Sequence, residues 1–231
     1  MATLQARRPP HPDITTIPTP PRQAAGLFII VFFPCIALIV YGLRVFSRLR
    51  TRQWGLDDWL ITAAVAFLLA LTATFYMYFK LFYFGYHMYE LPADWSQDAA
   101  MFYFYFAQML YNPILACVKA SMLVFLLRLG GQKPGVRLIT HALNLVNALQ
   151  AIATFLVSVF SCLPVAGFWD SAIKADPNTK CVDNSFSVIT AGLTVLTDIL
   201  VLALPLWIFL GLKMPTKQKI AVIGIFMVGL T

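Results

Sequence analysis

Five stretches of the chain, roughly residues 26–46, 59–81, 99–127, 138–163 and 186–212, each stay apolar for twenty residues or more. A helix needs about 20 such residues to cross a hydrocarbon core ~30 Å thick. Inside lipid, only helices and closed barrels satisfy their own backbone. The runs therefore predict an all-α, polytopic transmembrane helix bundle with five full spans. A further apolar run starts at Ile220 and reaches Thr231. It is long enough to rise only about 18 Å, which predicts a partial sixth span.

Composition agrees with the pattern. A chain that is 60% hydrophobic and 12% charged, with a mean hydropathy of +0.76, does not build an ordinary soluble core. The formal charge of +7 lies between the apolar runs rather than along one polar face. We read it as membrane topology, with the lipid bilayer as partner and no nucleic acid. The four cysteines form no CxxC pair and His11, His87 and His141 are scattered, so no metal site and no cofactor is expected.

Residues 1–25 contain Pro9, Pro10, Pro12, Pro18, Pro20 and Pro21 and no apolar core of a signal peptide. They read as a Pro-rich extracellular tail ahead of a membrane domain over 26–231. The tail is either a solvated lead-in or a ligand for a small recognition domain.

Basic residues stay on the cytoplasmic side of a membrane. One set of loops holds ten: Arg44, Arg48, Arg50, Arg52, Arg128, Lys133, Arg137, Lys213, Lys217 and Lys219. The other holds six: Arg7, Arg8, Arg22, Lys80, Lys174 and Lys180. The amino terminus is thus expected outside. In the first cytoplasmic loop, Arg44 and Arg48 lie one turn apart, and Asp57 and Asp58 lie where the second helix starts, suited to its positive end. Two readings fit this motif: helix capping with topology, or a docking surface for a cytoplasmic signalling partner.

Aromatic residues crowd the segment between the second and third spans. An interfacial belt accounts for such rings. The alternative is an outward-facing pocket lined by Tyr83, Tyr86, Tyr89 and Phe104, with His87 nearby as a titratable group, which would take an unidentified small extracellular ligand.

Two charges fall inside spans: Lys119 in the third and Asp198 in the fifth. Each is costly there unless paired, hydrated or facing a cavity. Counting helical rise from Arg128 and Lys213 puts Lys119 about 13 Å and Asp198 about 22 Å from the cytoplasmic end, and lysine leans toward the midplane. Either the two form an intramembrane pair, or each is satisfied separately by backbone carbonyls and water. Pro205, also mid-span, is tolerated in membrane helices. Cys162 and Cys181 bracket an outside loop on the oxidising side, which predicts a disulfide, whereas Cys35 and Cys117 fall in spans and are expected to pack as small hydrophobes.

Several segments together carry a resemblance: GLDDW behind Arg44 and Arg48, Gly85 with His87, KASMLVFLLRL, SCLPVAGFWD followed by Cys181 and Asp183, and TDILVLALPLWIFLGLKMPTKQKIAVIGIFMVGL. In combination they resemble the fungal rhodopsin-like integral membrane proteins, the family named for the satratoxin cluster, from about residue 27 to the end. The resemblance implies a rhodopsin-like domain over 26–231, incomplete at its carboxyl end against a family pattern of seven helices. It also implies an outside amino terminus and a plasma-membrane, receptor-like role, in some members beside secondary-metabolite genes. Carried over by position, it gives weight to Arg44, Asp57, Asp58, His87, Lys119, Cys162, Trp169, Cys181, Asp198, Pro205 and Lys219. It implies no retinal, because Lys119 lies on the third helix and not the seventh. The expected function is a multi-pass receptor-like protein without catalysis of its own, with a small-molecule transporter or channel as the alternative. No nucleophile with its base, paired acid and base or metal cluster is visible in the sequence.

Overall fold

The computed structural model describes residues 17–52, 54–87, 91, 95–130, 134–182 and 184–211. Its long helices are α1 (Pro21–Arg50), α2 (Leu56–Leu81), α3 (Asp98–Gly130), α4 (Pro134–Val159) and α6 (Asn184–Gly211). Between α4 and α6 lies a small outer cap: strand β1 (Cys162–Leu163), a 3-10 turn (Val165–Phe168), the short α5 (Ser171–Lys174) and strand β2 (Lys180–Cys181).

The four helices α1 to α4 are long and apolar enough to cross a membrane, and α6 adds the shorter apolar stretch Val188–Val201. Phe28, Leu43, Leu138 and Val188 are all more than 60% exposed, an arrangement that lipid rather than water accommodates. Together with the family match given below, this makes the fold an all-α membrane bundle. The run from Ile220, Lys213, Lys217, Lys219 and the first part of the proline-rich tail lie outside the described residues.

α3 is the hub, packed on α2 along one side and α4 along the other, while α1 leans mainly on α2 and α6 closes against α3 and α4. At 33 residues it rises about 50 Å, more than the hydrocarbon core requires. The tightest apolar cluster joins Leu123 and Leu126 of α3 to Val136 of α4 and Val201 of α6, with Leu143 packed on it. It lies toward the α3–α4 turn.

Helix ends differ from the sequence expectation in two places, each for a local reason. α1 starts at Pro21, ahead of residue 26, because proline at the first helical position is pre-set for the helix and gives up no hydrogen bond. α4 stops at Val159, short of residue 163, because Cys162 leaves the helix to pair antiparallel with Cys181. The two cysteines are joined by a disulfide.

The cap is fixed to the bundle from several sides. Asp170 caps α5 by accepting from the backbone of Ala172 at 2.9 Å, and Asp98 at the start of α3 accepts from Ser171 N at 3.3 Å. The Trp169 ring meets Phe102 and Tyr105 of α3 edge-on or tilted at 5.4 and 5.3 Å. A methyl group on Gly167 would come within 2.7 Å of Thr179 Cγ2, so the closeness of this turn requires glycine.

Candidate functional site

At the α1–α2 turn, four charges form a closed network. Arg44 Nη2 lies 2.7 Å from Asp57 Oδ2 and its Nε lies 2.9 Å from Asp58 Oδ1. Arg48 reaches the same two carboxylates at 3.2 and 3.5 Å, as its i+4 placement allows. Both arginines also lie near the Phe125 ring, at 6.0 and 5.7 Å. Asp58 accepts from Gly55 N at 3.0 Å, so Gly55 is the N-cap of α2 and Asp58 its third-position partner. Ser121 of α3 donates to the Asp57 carbonyl at 2.8 Å, which ties the turn to the hub.

This geometry corrects the docking-surface reading in one respect. Asp57 and Asp58 are 1% and 3% exposed, held inside by the two guanidinium groups, and do not face a partner. What the turn presents outward is basic.

The outer aromatic group is also rearranged relative to expectation. Tyr83 and Tyr86 meet edge to face at 5.3 Å, and the Tyr86 hydroxyl donates to the Pro18 carbonyl. Gly85, with φ at +85°, lets the loop approach Gln23 and Arg22, and Lys80 Nζ donates to Ile17 O at 3.1 Å. These residues strap down the lead-in to α1, and Tyr83 and Tyr86 are not among the residues of the cavity that Phe104 lines. Burial raises the Tyr83 phenol above its ordinary pKa. Phe104 faces elsewhere, and His87 is exposed nearby. Tyr89 lies outside the described residues.

The cavity with chemical character lies under the disulfide cap, between α3, α4 and α6. It encloses about 680 Å³, within the range of small-molecule sites. Phe104, Gln108 and Asn112 come from α3, Thr154 and Ser158 from α4, Ser161 from just beyond its end, and Thr194 and Asp198 from α6. Cys162, Phe168, Lys174 and Cys181 form its roof and rim.

Below that floor, Lys119 Nζ lies 2.8 Å from Asp198 Oδ1 and 3.3 Å from Thr197 Oγ1. The lysine side chain is 9% exposed and the aspartate 40%, so the pair is buried on one side and open to the cavity on the other. A void of about 20 Å³ beside Lys119 and Asn147 has room for one water.

Further polar contacts join the same helices. Asn112 donates to Ser158 Oγ at 2.9 Å, Asn147 to the Ala116 carbonyl at 3.1 Å and Gln150 to Thr194 Oγ1 at 3.0 Å. Reading single charged residues missed these contacts. A signal was present: Asn147, Gln150, Thr154, Ser158 and Ser161 recur every three or four positions, as do Thr190, Thr194 and Thr197, and Gln108, Asn112 and Lys119 follow at spacings of four and seven. Three polar stripes face one another inside an otherwise apolar bundle. Among the described residues, no group of three His, Cys, Asp or Glu side chains is placed to hold a metal.

Long apolar helices, buried ion pairs and a capped polar cavity define a multi-pass membrane protein. The chain belongs to the fungal rhodopsin domain family, whose family model matches residues 43–231. It is 28% identical over 127 residues to a SAT4 family membrane protein of Emericella nidulans, covering 54% of this chain and 32% of that one. It is 24% identical over 207 residues to a polyenoic acids biosynthesis gene cluster protein of Metarhizium anisopliae, covering 88% and 55%. It is 25% identical over 223 residues to wortmanamides biosynthesis cluster protein C of Talaromyces wortmannii, covering 92% and 59%. The chain thus spans less than two thirds of each relative's length. No solved structure matches it.

Proposed function

We propose that this chain belongs to a receptor-like membrane protein without catalytic activity, which binds a small molecule in the cavity beneath the Cys162–Cys181 cap. The single observation that carries the reading is the form of that cavity. It is roofed by a fixed cap, polar at its floor and backed on the far side by the dry cluster of Leu123, Leu126, Val136 and Val201. A capped cavity with a polar floor suits recognition.

Further parts of the reading rest on the sequence. The carboxyl-terminal half of α6 completes a fifth span, the run from Ile220 begins a sixth, and residues 26–231 form one membrane domain behind an extracellular tail. The amino terminus faces outside at the plasma membrane, on the strength of the ten-to-six count of basic residues and the disulfide. The basic turn around Arg44 and Arg48 is where a cytoplasmic partner would meet the bundle. Two relatives carry the names of biosynthetic clusters, which supports a role beside a secondary-metabolite pathway.

Binding to the purified protein in nanodiscs tests the core of the reading. A saturable, stoichiometric site that a cavity substitution removes is the expected result, and turnover of the bound compound would refute the absence of catalysis. An epitope at the amino terminus should be reachable on intact cells.

A transporter is the second reading, favoured by the polar stripes that run down to Lys119 and Asp198. Flux across vesicles containing the protein would establish it in place of the receptor.

A further inference from the structure

The hydroxyls on the α4 and α6 side of the cavity are biased in one direction. Thr154 Oγ1 donates to Gln150 O at 2.9 Å, Ser158 Oγ to Thr154 O at 2.9 Å, and Ser161 Oγ to Ser158 O at 2.7 Å. Thr194 Oγ1 donates to Thr190 O at 2.8 Å. Each hydroxyl proton is thus committed to helix backbone, and oxygen lone pairs remain. Asn112 repeats the pattern, with its N–H groups engaged on Gln108 O at 3.2 Å and Ser158 Oγ at 2.9 Å and its amide oxygen left over. Asp198 gives one oxygen to Lys119 at 2.8 Å and keeps the other for the cavity it lines.

Charge points the opposite way from the acceptors. Lys119 already neutralises Asp198, and Lys174 on α5 adds an exposed positive charge at the rim. A cationic ligand would meet that charge without a spare anion to receive it. Between rim and floor the wall is apolar, with Phe104, Phe168 and Leu115. From Met101 to Leu115, both of which line the cavity, α3 rises about 21 Å, so the site is long as well as narrow.

We propose that the cavity binds an uncharged, elongated apolar molecule whose inner end carries hydroxyl or amide N–H donors. This assignment of ligand class rests on the receptor-like reading above. The donor end is received by Asp198 and Asn112, and the apolar body lies along Phe104 and Leu115. The site rejects the amine of equal length because of charge, and the bare alkane because the buried acceptors would be left unmet.

The test uses the purified chain in nanodiscs of uncharged lipid, with dodecanediol, dodecylamine and dodecane as matched probes and empty nanodiscs as the blank. Native mass spectrometry reads bound probe. A second readout is the rate at which a polar thiol reagent labels Ala191→Cys, a cavity position, in a Cys35→Ala background.

We expect dodecanediol to bind and slow the labelling, with dodecylamine and dodecane weaker by about tenfold or more, the equivalent of one well-made hydrogen bond. Asn112→Leu should weaken dodecanediol by about tenfold. Thr154→Val, of nearly the same shape, should weaken it by a smaller factor and serves where Asn112→Leu does not fold. Dodecylamine binding as tightly as the diol, or diol binding indifferent to both substitutions, overturns the proposal. If the Ala191→Cys thiol labels freely and no probe slows it, the ligand class is wrong while the cavity stands. If that thiol never labels, the cavity is closed and the receptor-like reading falls as well.

Discussion

Two clusters of buried charge hold this bundle together, and they are built on different terms. At the α1–α2 turn, Asp57 and Asp58 are almost wholly enclosed, and both meet Arg44 and Arg48, with Arg128 a further 3.8 Å neighbour of Asp57. At the cavity floor, Lys119 is enclosed but Asp198 is 40% exposed, with an oxygen to spare. The first arrangement leaves little polar capacity unmet, which is the mark of a fastening. The second leaves acceptors facing an open volume, a state that folding alone does not demand.

The difference can be broken or sharpened by substitution, beginning with the largest effect. Asp57→Ala removes one of the two buried carboxylates that hold Arg44 and Arg48, leaving Asp58 to balance both, and should cost about 3–5 kcal/mol, read as loss of the monodisperse fraction in detergent. A mild effect there would mean that the network is wetter than its burial indicates. Replacing Cys162 and Cys181 together by serine should cost about 3 kcal/mol in the chain-entropy model and loosen the cap, checked by thermal unfolding with and without reductant.

Lys119→Met leaves Asp198 able to reach cavity water, so its cost should be only about 1–3 kcal/mol. Destabilisation beyond that of Asp57→Ala would erase the contrast between the two clusters. Charge reversal at both Lys119 and Asp198 should recover stability relative to either single change, since the pair crosses from α3 to α6. Arg128→Gln should do least, roughly 0–1 kcal/mol, because its guanidinium is 3.8 Å from Asp57 and 43% exposed.

The contrast also explains what the sequence could disclose. Apolar runs of membrane length are visible without coordinates, because lipid removes every alternative to a helix. Charges inside such runs are conspicuous for the same reason, and helical rise together with the lean of the lysine side chain made a Lys119–Asp198 pair one of two readings. Neutral polar residues were harder to see. Ser158, Thr154 and Thr194 can return their protons to their own helix and so carry no obligation to face a partner. Only the shared period of three stripes betrayed the cavity. The tyrosines after α2 were ambiguous in the sequence because an aromatic cluster serves equally well to line a pocket or to clamp a chain, and Tyr86 hydrogen-bonds to Pro18. Burial of Asp57 and Asp58 depended on where α3 lies, which no local pattern encodes.

The disulfide gives the binding cavity a date as well as a shape. Its roof includes both Cys162 and Cys181, so a newly inserted chain with reduced thiols has the helices and the polar floor but an unfastened lid. The roofed form of the cavity is then acquired at the oxidation step of maturation rather than at synthesis. On the proposed receptor reading, a cell that produces both this protein and its ligand would keep the two unacquainted until the chain had entered an oxidising compartment.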